Sequence, residues 1–276
     1  MEEIRLSWAA VQQQHAIERI RIEIAFTEPL PSRVVESAKR QFEQNRNALR
    51  FASAVPQEVH QLGIQPGLGG APTFQKVVGW NSVRESSPGV AVESVALNPG
   101  GFAYESTDYR SWETAHRRFR SVADSIIQQV STVVDIGSFS LDYADRFVYQ
   151  GRPAEAEPGA ILVPDLLCSL TEGARSGEFL WHLHRGWFDL QEGRSVLMNQ
   201  NVDAQDAKTH TGALVRSLQI FTRAEFRPQP EQFRVEDLRA IADQLHVLCN
   251  FHFASILTDD AKNMVGLLRD RAVEGL

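Results

Sequence analysis

The sequence has 276 residues, of which 43% are hydrophobic and 23% charged, and its formal net charge at pH 7 is −7. This composition is ordinary for a soluble globular protein, and a chain of this size buries enough surface to need no disulfides. Proteins that bind nucleic acid mainly through phosphates usually carry a basic surplus, so the acidic balance argues against direct nucleic-acid binding.

The sequence predicts a cytoplasmic protein without a membrane segment. Met1 is followed by two glutamates, and neither the basic nor the apolar region of a signal peptide is present. No run approaches the roughly 18 apolar residues that a spanning helix needs. Cys168 and Cys249 are far apart and outside any CxxC spacing, so we expect two reduced thiols, each a small buried apolar residue.

The first part of the chain predicts a strand, a helix, three strands and a long helix. Residues 15–27 alternate, with Ile20, Ile22 and Ile24 on one face, as in a half-buried strand. The Gly/Pro-rich residues 63–72 lack GK[ST] and predict a loop. The remaining predicted elements are a helix capped by Ser32, strands at 73–80, 90–97 and 100–106, and a helix over 107–129 capped by Ser106 or Thr107.

The same order of elements returns later in the chain. The predicted elements are a strand at 133–149, a helical stripe at 160–170 that is interrupted at Pro164, strands at 178–190, 195–204 and 213–226 with a hairpin turn at 191–194, a helix near 235–257, and a last helix capped by Thr258. We therefore predict an α+β fold of two similar halves, 1–131 and 132–276, packed as one unit. Each half would be TATA-binding-protein-like or helix-grip-like, an analogy that concerns the fold alone.

Four segments fall into a recognisable order: IRIEIAFTEPLP, FAYESTDYRSWETAHRRF, FSLDYADRF and DQLHVLCNFHFASILTDDAK. Together they resemble a sporadically distributed family of bacterial and archaeal proteins of about this length that has no established activity. The positions that carry the resemblance are Phe102, Glu105, Tyr109, Trp112, Phe119, Tyr143, Asp145, Arg146, Phe147, Leu245, His246, Phe253, Leu257 and Thr258.

The chain departs from the pattern of this family at two places. The central strand of the family tends to have an Arg-Tyr-Ile/Asn core where this chain has SLDYADRF, and the strand before the last helix tends to be Asp-rich where this chain has QIFTRAEF. The resemblance implies a fold and a scattered distribution, which is typical of mobile-element, defence and toxin-linked genes. It implies no catalytic residue.

The stretch FLWHLHRGWFDL, residues 179–190, carries two histidines two positions apart. Residues i and i+2 of a strand point to the same face, so His182 and His184 could reach one ligand. A metal ion needs more ligands, and neither His210, Asp189 nor Glu192 has a diagnostic spacing, so we predict no metal site and no cofactor. With Trp187 nearby, the two histidines predict a ligand-binding groove.

A structural interpretation of the same stretch competes with the ligand site. Phe179, Trp181, Leu183 and Trp187 would form the core face of a central strand, and the histidines would line the solvent side. On the predicted last long helix, His246 is interpreted as a histidine that hydrogen-bonds across the helix–sheet interface.

Other polar groups give no defined catalytic motif. Asp142, Asp145 and Arg146 could form an acid–base group, although structural Asp–Arg pairing is the commoner arrangement. The sequence contains no GxSxG and no CxxC motif, which lowers the expectation of an enzyme without removing it.

The first functional hypothesis is therefore a binding protein that holds a protein partner, as an accessory or partner-neutralising component in a defence or toxin-linked context. Its acidic surface would suit a basic partner, and a homodimer stays open. The alternative is a small-molecule-binding protein or hydrolase-like enzyme with a pocket between the sheet and the C-terminal helix. Nucleic-acid binding by a TATA-binding-protein-like sheet is a third and weaker hypothesis.

Overall fold

The computed structural model describes residues 8–12, 14–62, 73–191, 194–208, 212–228 and 235–267, and side chains within these ranges apart from those of residues 58–62, 73–78 and 191. It confirms a mixed α+β fold with a large antiparallel sheet. The strands are β1 (Trp8–Ala10), β2 (Ile17–Phe26), β3 (Val55–Leu62), β4 (Thr73–Ser87), β5 (Val90–Asn98), β6 (Gly101–Ser106), β7 (Ile136–Tyr149), β8 (Trp181–Gln191), β9 (Arg194–Lys208) and β10 (Leu214–Phe226). The helices are α1 (Ser32–Leu49), α2 (Trp112–Val130), α3 (Pro164–Leu167), α4 (Glu172–Arg175), α5 (Leu238–Ser255) and α6 (Asp259–Met264).

The chain divides into two compact units, each built from separate segments. The α1–α2 unit consists of Arg21–Ser140 and Arg227–Ala242. The α5–α6 unit consists of Met1–Ile20, Leu141–Phe226 and Asp243–Leu276. Strands β2 and β7 and helix α5 each contribute residues to both units. The expected division into residues 1–131 and 132–276 stays a prediction.

The α1–α2 unit has a sheet with the strand order β3-β4-β5-β6-β2-β7. Strand β2, which comes first in the sequence of this unit, therefore lies between β6 and β7. The predicted alternation of β2 is confirmed, since Ile20, Ile22 and Ile24 are buried. Aromatic side chains join helices to the sheet: Phe42 of α1 stacks on Trp80 at 4.8 Å between ring centroids. This apolar face holds both long helices on the sheet.

Helix α1 begins within one residue of its predicted start, whereas α2 begins at Trp112 and not at residue 107, and both N-caps differ from the predicted ones. The N-cap of α1 is Pro31, and Ser32 is its first helical residue, without a capping hydrogen bond. The N-cap of α2 is Ser111, whose Oγ accepts a hydrogen bond from the amide of Thr114. The predicted caps Ser106 and Thr107 were both wrong, because Ser106 ends β6 and α2 begins only at Trp112.

The α5–α6 unit has the strand order β7-β10-β9-β8, with β1 paired to β7. Its core includes Phe147 of β7, Ile220 of β10 and Phe253 of α5. The predicted cap of the last helix is confirmed, because Oγ1 of Thr258 accepts a hydrogen bond from the amide of Ala261. Helix α5 therefore packs along the sheet and α6 follows it.

Three other sequence predictions were wrong. The segment 178–190 predicted a central strand, whereas β8 ends the strand order of its unit. Phe179, predicted for the core, precedes β8 and is exposed, as is Cys168. Strand β3 was not predicted because its sequence, VPQEVHQL, has a proline at the second position and does not alternate regularly between apolar and polar residues. The predicted loop 63–72 and the centre of the predicted turn 191–194 lie outside the described residues.

Candidate functional site

Strand β8 alternates strictly between exposed and half-buried side chains over its first ten residues. The exposed positions begin with His182 and His184 and end with Phe188 and Leu190. We call this row the outer face of β8. Because strand side chains alternate between the two faces of a sheet, these four side chains lie on one side. The two predicted histidines therefore belong to a longer exposed row.

Both histidines bond to the strand next to them. His182 lies directly opposite Asp203 of β9, with 2.5 Å between Nδ1 and the carboxylate. His184 lies opposite Asn201, whose side-chain oxygen contacts its Nδ1. The two imidazole rings are nearly parallel, with centroids 6.5 Å apart. The cross-strand partners fix the position of each ring and leave its Nε2 directed away from those bonds.

The third predicted ligand residue, Trp187, lies on the opposite face of β8. Its ring meets the imidazole of His252 on α5 edge to face, with 4.9 Å between centroids. On the same side, Asp189 lies 2.8 Å from Nε2 of His252. Trp187 therefore joins the strand to the helix, and it does not complete one pocket with His182 and His184.

Among the described residues, no further side chains join His182 and His184 to form a metal site. Among the residues that the structure describes, no group of three His, Cys, Asp or Glu side chains is placed to hold a metal ion. Asp189 faces α5, while His210 and Glu192 lie outside the described residues.

The apolar end of the outer face is the feature that the sequence analysis missed. Phe188 is 69% exposed and Leu190 is 76% exposed. Strand β8 pairs with β9 along one edge, and no strand within the described ranges pairs with the other. An edge strand with exposed apolar side chains is a surface on which another chain can add a strand. The period-two pattern of FLWHLHRGWFDL predicted the alternation, but assigned its faces to a central strand.

A second candidate site is a cavity of about 50 Å³ between the sheet and α5. Asp145 of β7 lines this cavity and is 2% exposed. Its Oδ1 finds no hydrogen-bond partner among the described residues. Burial raises the pKa of this carboxyl to about 8, so the acid is largely protonated at neutral pH.

The three charged residues of this strand do not form the acid–base group that was considered. Asp142 pairs with Arg223 at 3.3 Å, and Arg146 lies 2.9 Å from a carboxylate oxygen of Glu18. These contacts are the structural Asp–Arg and Arg–Glu pairs that proteins commonly contain. Asp145, by contrast, has no arginine partner in the described part of the chain.

The prediction for His246 is confirmed. Its Nδ1 lies 2.8 Å from the hydroxyl of Tyr143, which joins α5 to β7. Its Nε2 lies 3.1 Å from the side-chain nitrogen of Asn250, one helical turn further along α5. Both ring nitrogens thus have partners, and His246 serves the helix–sheet interface.

A comparison with protein-family models finds none that matches the chain, and a comparison with curated proteins finds no similar protein. The resemblance to the sporadic prokaryotic family stays a prediction from the quoted segments. None of the helices in the described ranges combines the length and apolar character that crossing a membrane requires.

Proposed function

We propose that this chain is a protein-binding component whose partner docks on the outer face and free edge of β8. The observation that carries the proposal is the exposure of Phe188 and Leu190 on an edge strand of eleven residues. Backbone groups along the edge supply hydrogen bonds to an added strand, and exposed apolar side chains supply anchors. The two histidines would then border the docked segment.

The sequence of β8 lacks the features by which edge strands usually avoid such pairing. Proline, lysine and inward-pointing unpaired charges are common protections. Strand β8 contains no proline or lysine, and both of its charged side chains are occupied within the unit. Arg185 donates to the side-chain oxygen of Gln200, and Asp189 contacts His252. Neither charged side chain is therefore left unpaired to oppose the addition of a partner strand at this edge.

The charge of the chain favours a basic partner over a second copy. With a net charge of −7, two copies repel each other at long range, whereas a basic protein is attracted. This preference agrees with an accessory or partner-neutralising role in a defence or toxin-linked setting, which is part of the proposal and rests on the resemblance alone.

Native mass spectrometry of tagged protein purified from its own host tests this function. Wild-type protein is expected to carry a second polypeptide, and the variants Phe188→Asp and Leu190→Asp are expected to lose it. The matched control is Val90→Asp on β5, because Val90 is also exposed but lies in the α1–α2 unit. A partner retained equally by all variants would place the docking surface elsewhere, and a bare monomer would contradict the function itself.

The alternative of a metabolite pocket between the sheet and α5 is weaker. A cavity of about 50 Å³ holds only a few water molecules, whereas pockets for organic ligands usually measure roughly 300–1,000 Å³. Asp145 lines this cavity, but a substrate of ordinary size does not fit beside it. We therefore do not propose a small-molecule or hydrolase-like function for this pocket between the sheet and α5.

We also propose that the two halves of the chain, residues 1–131 and 132–276, are variants of one TATA-binding-protein-like or helix-grip-like design in a cytoplasmic protein. The order of elements supports this: β2, α1, four strands and α2 are followed by β7, short helices, three strands and α5. An experimental structure of the chain with its partner would test the arrangement, and fractionation of the host cell would test the compartment.

A further inference from the structure

A separate cavity of about 320 Å³ lies in the α1–α2 unit and has an unusual charge. Its charged lining residues are Arg50, Arg84, Arg110, Arg118, Glu93 and Asp108. Four guanidinium groups face two carboxylates, so two positive charges are unbalanced among the described residues that line it. In a chain whose net charge is −7, this cavity is a local basic site.

Two of the arginines are held in place by one buried carboxylate. Glu93 is 5% exposed and lies 2.6 Å from Nε of Arg84 and 2.8 Å from Nη2 of Arg118. The hydroxyl of Tyr104 donates to the same carboxylate at 2.8 Å. Burial alone would raise the pKa of Glu93, but the hydrogen bonds from Arg118, Arg84 and Tyr104 together lower it. Glu93 therefore stays ionised and fixes both guanidinium planes.

The fixed arginines keep donors that the protein does not use. Arg84 uses Nε and Nη2 on Glu93 and Asp108, and Arg118 uses Nε and Nη2 on Glu93 and the carbonyl of Leu49. The Nη1 group of each arginine finds no protein partner in the described ranges. A guanidinium whose orientation is already fixed loses little entropy when it binds an anion.

Arg50 occupies a position that a glycine would fill more easily. It follows α1 with φ 61° and ψ 33°, the left-handed conformation that favours glycine at helix ends. Its guanidinium has no partner in the part of the chain that the structure describes, yet the residue lines the cavity. The chain thus keeps an arginine beside the cavity at a cost in backbone energy.

We propose that this cavity binds the dianionic phosphate group of a small phosphomonoester. Two unbalanced positive charges match the two negative charges of such a group, and guanidinium forks suit its oxygens. The first turn of α2, at Thr114 and Ala115, also lines the cavity and contributes the positive end of the helix dipole. A volume of about 320 Å³ leaves room for a small organic part beside the phosphate.

Calorimetric titrations with glycerol phosphate and with dimethyl phosphate at constant ionic strength test the proposal. Glycerol phosphate is a dianionic monoester, and dimethyl phosphate is a diester with one charge. We expect the monoester to bind at least about tenfold more tightly, because its second charge meets the second unbalanced guanidinium. Equal affinities, or no saturable binding of the monoester, would overturn the proposal.

Two variants separate the binding from the fold. Arg50→Gly is expected to raise the thermal unfolding midpoint in the absence of ligand, because glycine relieves the left-handed backbone, and yet to weaken monoester binding at least about tenfold. Arg110→Gln should also weaken binding without loss of the fold, because this side chain is 77% exposed. The matched control is Arg117→Gln, which is 72% exposed and pairs with Glu113. Monoester affinity that is unchanged in both variants would show that the cavity is not the site.

Discussion

The hydroxyl of Tyr143 lies 2.8 Å from Nδ1 of His246, and this hydrogen bond joins strand β7 to helix α5. Tyr143 is 3% exposed and His246 is half-buried, so the Tyr143 hydroxyl has little access to water that could replace this partner. A hydrogen bond to a buried hydroxyl helps to fix the position of α5 on β7, because the hydroxyl is left unsatisfied when its partner is lost.

Tyr143→Phe is therefore expected to lower the free energy of unfolding by about 1–2 kcal/mol, since His246 loses a buried partner while the ring is retained. Urea denaturation followed by circular dichroism measures the change. Tyr149→Phe is the control, because the hydroxyl of Tyr149 makes no hydrogen bond to a described residue and its ring packs on Trp8. Equal losses in both variants would mean that the Tyr143 hydroxyl contributes nothing specific.

Asp145 gives the chain a pH-dependent stability of known sign. Burial raises the pKa of this carboxyl from an ordinary value of 3.8 to about 8. Between these values the folded chain holds a proton that the unfolded chain has lost. The free energy of unfolding should fall as pH rises from about 4 to about 8, by a total of about 6 kcal/mol at most.

Asp145→Asn is expected to remove most of this decline, because the amide does not ionise. Denaturation midpoints at a series of pH values measure the slope, and Asp165→Asn, which changes an exposed residue of α3, serves as the control. A pH profile of Asp145→Asn that parallels the wild type would contradict the raised pKa of this group.

Glu93 is expected to matter more for stability than exposed glutamates do. Glu93→Gln leaves Arg84 and Arg118 without their carboxylate, and we expect a loss of about 2–4 kcal/mol in the free energy of unfolding. Because the pKa of Glu93 is lowered in the folded chain, its stabilising effect should be present above the ordinary value of 4.5 and fade in more acidic solution. Glu113→Gln breaks an exposed ion pair and should have no measurable effect, so similar losses would refute the distinction.

Two glycines with similar backbone angles should respond differently to alanine. Gly177 has φ +81°, and an added Cβ would lie 2.4 Å from the carbonyl oxygen of Ala156. Gly89 has φ +80°, and an added Cβ would meet nothing within 4 Å. Gly89→Ala is expected to cost about 1 kcal/mol for the backbone alone, and Gly177→Ala about 2 kcal/mol or more. Thermal unfolding of both variants measures the difference, and equal losses would show that the clash relaxes.

The local pattern of the sequence predicted the individual helices and strands better than it predicted which strands lie side by side in the sheet. The alternation of Ile20, Ile22 and Ile24 predicted β2 correctly because one face of that strand is buried. The same alternation in β8 could not show that the strand is at an edge. Strand order depends on pairings between segments that are distant in the sequence, and the periodicity of one segment does not reveal its pairing partner.

The charged sites were also invisible to local patterns. Glu93 receives its partners from Arg84 on β4 and Arg118 on α2, and in the sequence all three look like ordinary exposed charges of amphipathic elements. Within FSLDYADRF, the adjacent Arg146 suggested an ion pair with Asp145, so the sequence did not indicate that Asp145 has no charged partner among the described residues. Neighbours in a strand face opposite sides, so Arg146 pairs with Glu18 and leaves Asp145 alone in the core.

Hydrogen–deuterium exchange of the partner complex is the most direct test of docking on β8. A partner that adds a strand must cover the free backbone edge, so amides within Trp181–Gln191 should exchange more slowly in the complex than in the isolated chain. Protection confined to this strand and its neighbour β9 is the expected result. A bound partner with unchanged exchange across Trp181–Gln191 would contradict the proposed docking surface.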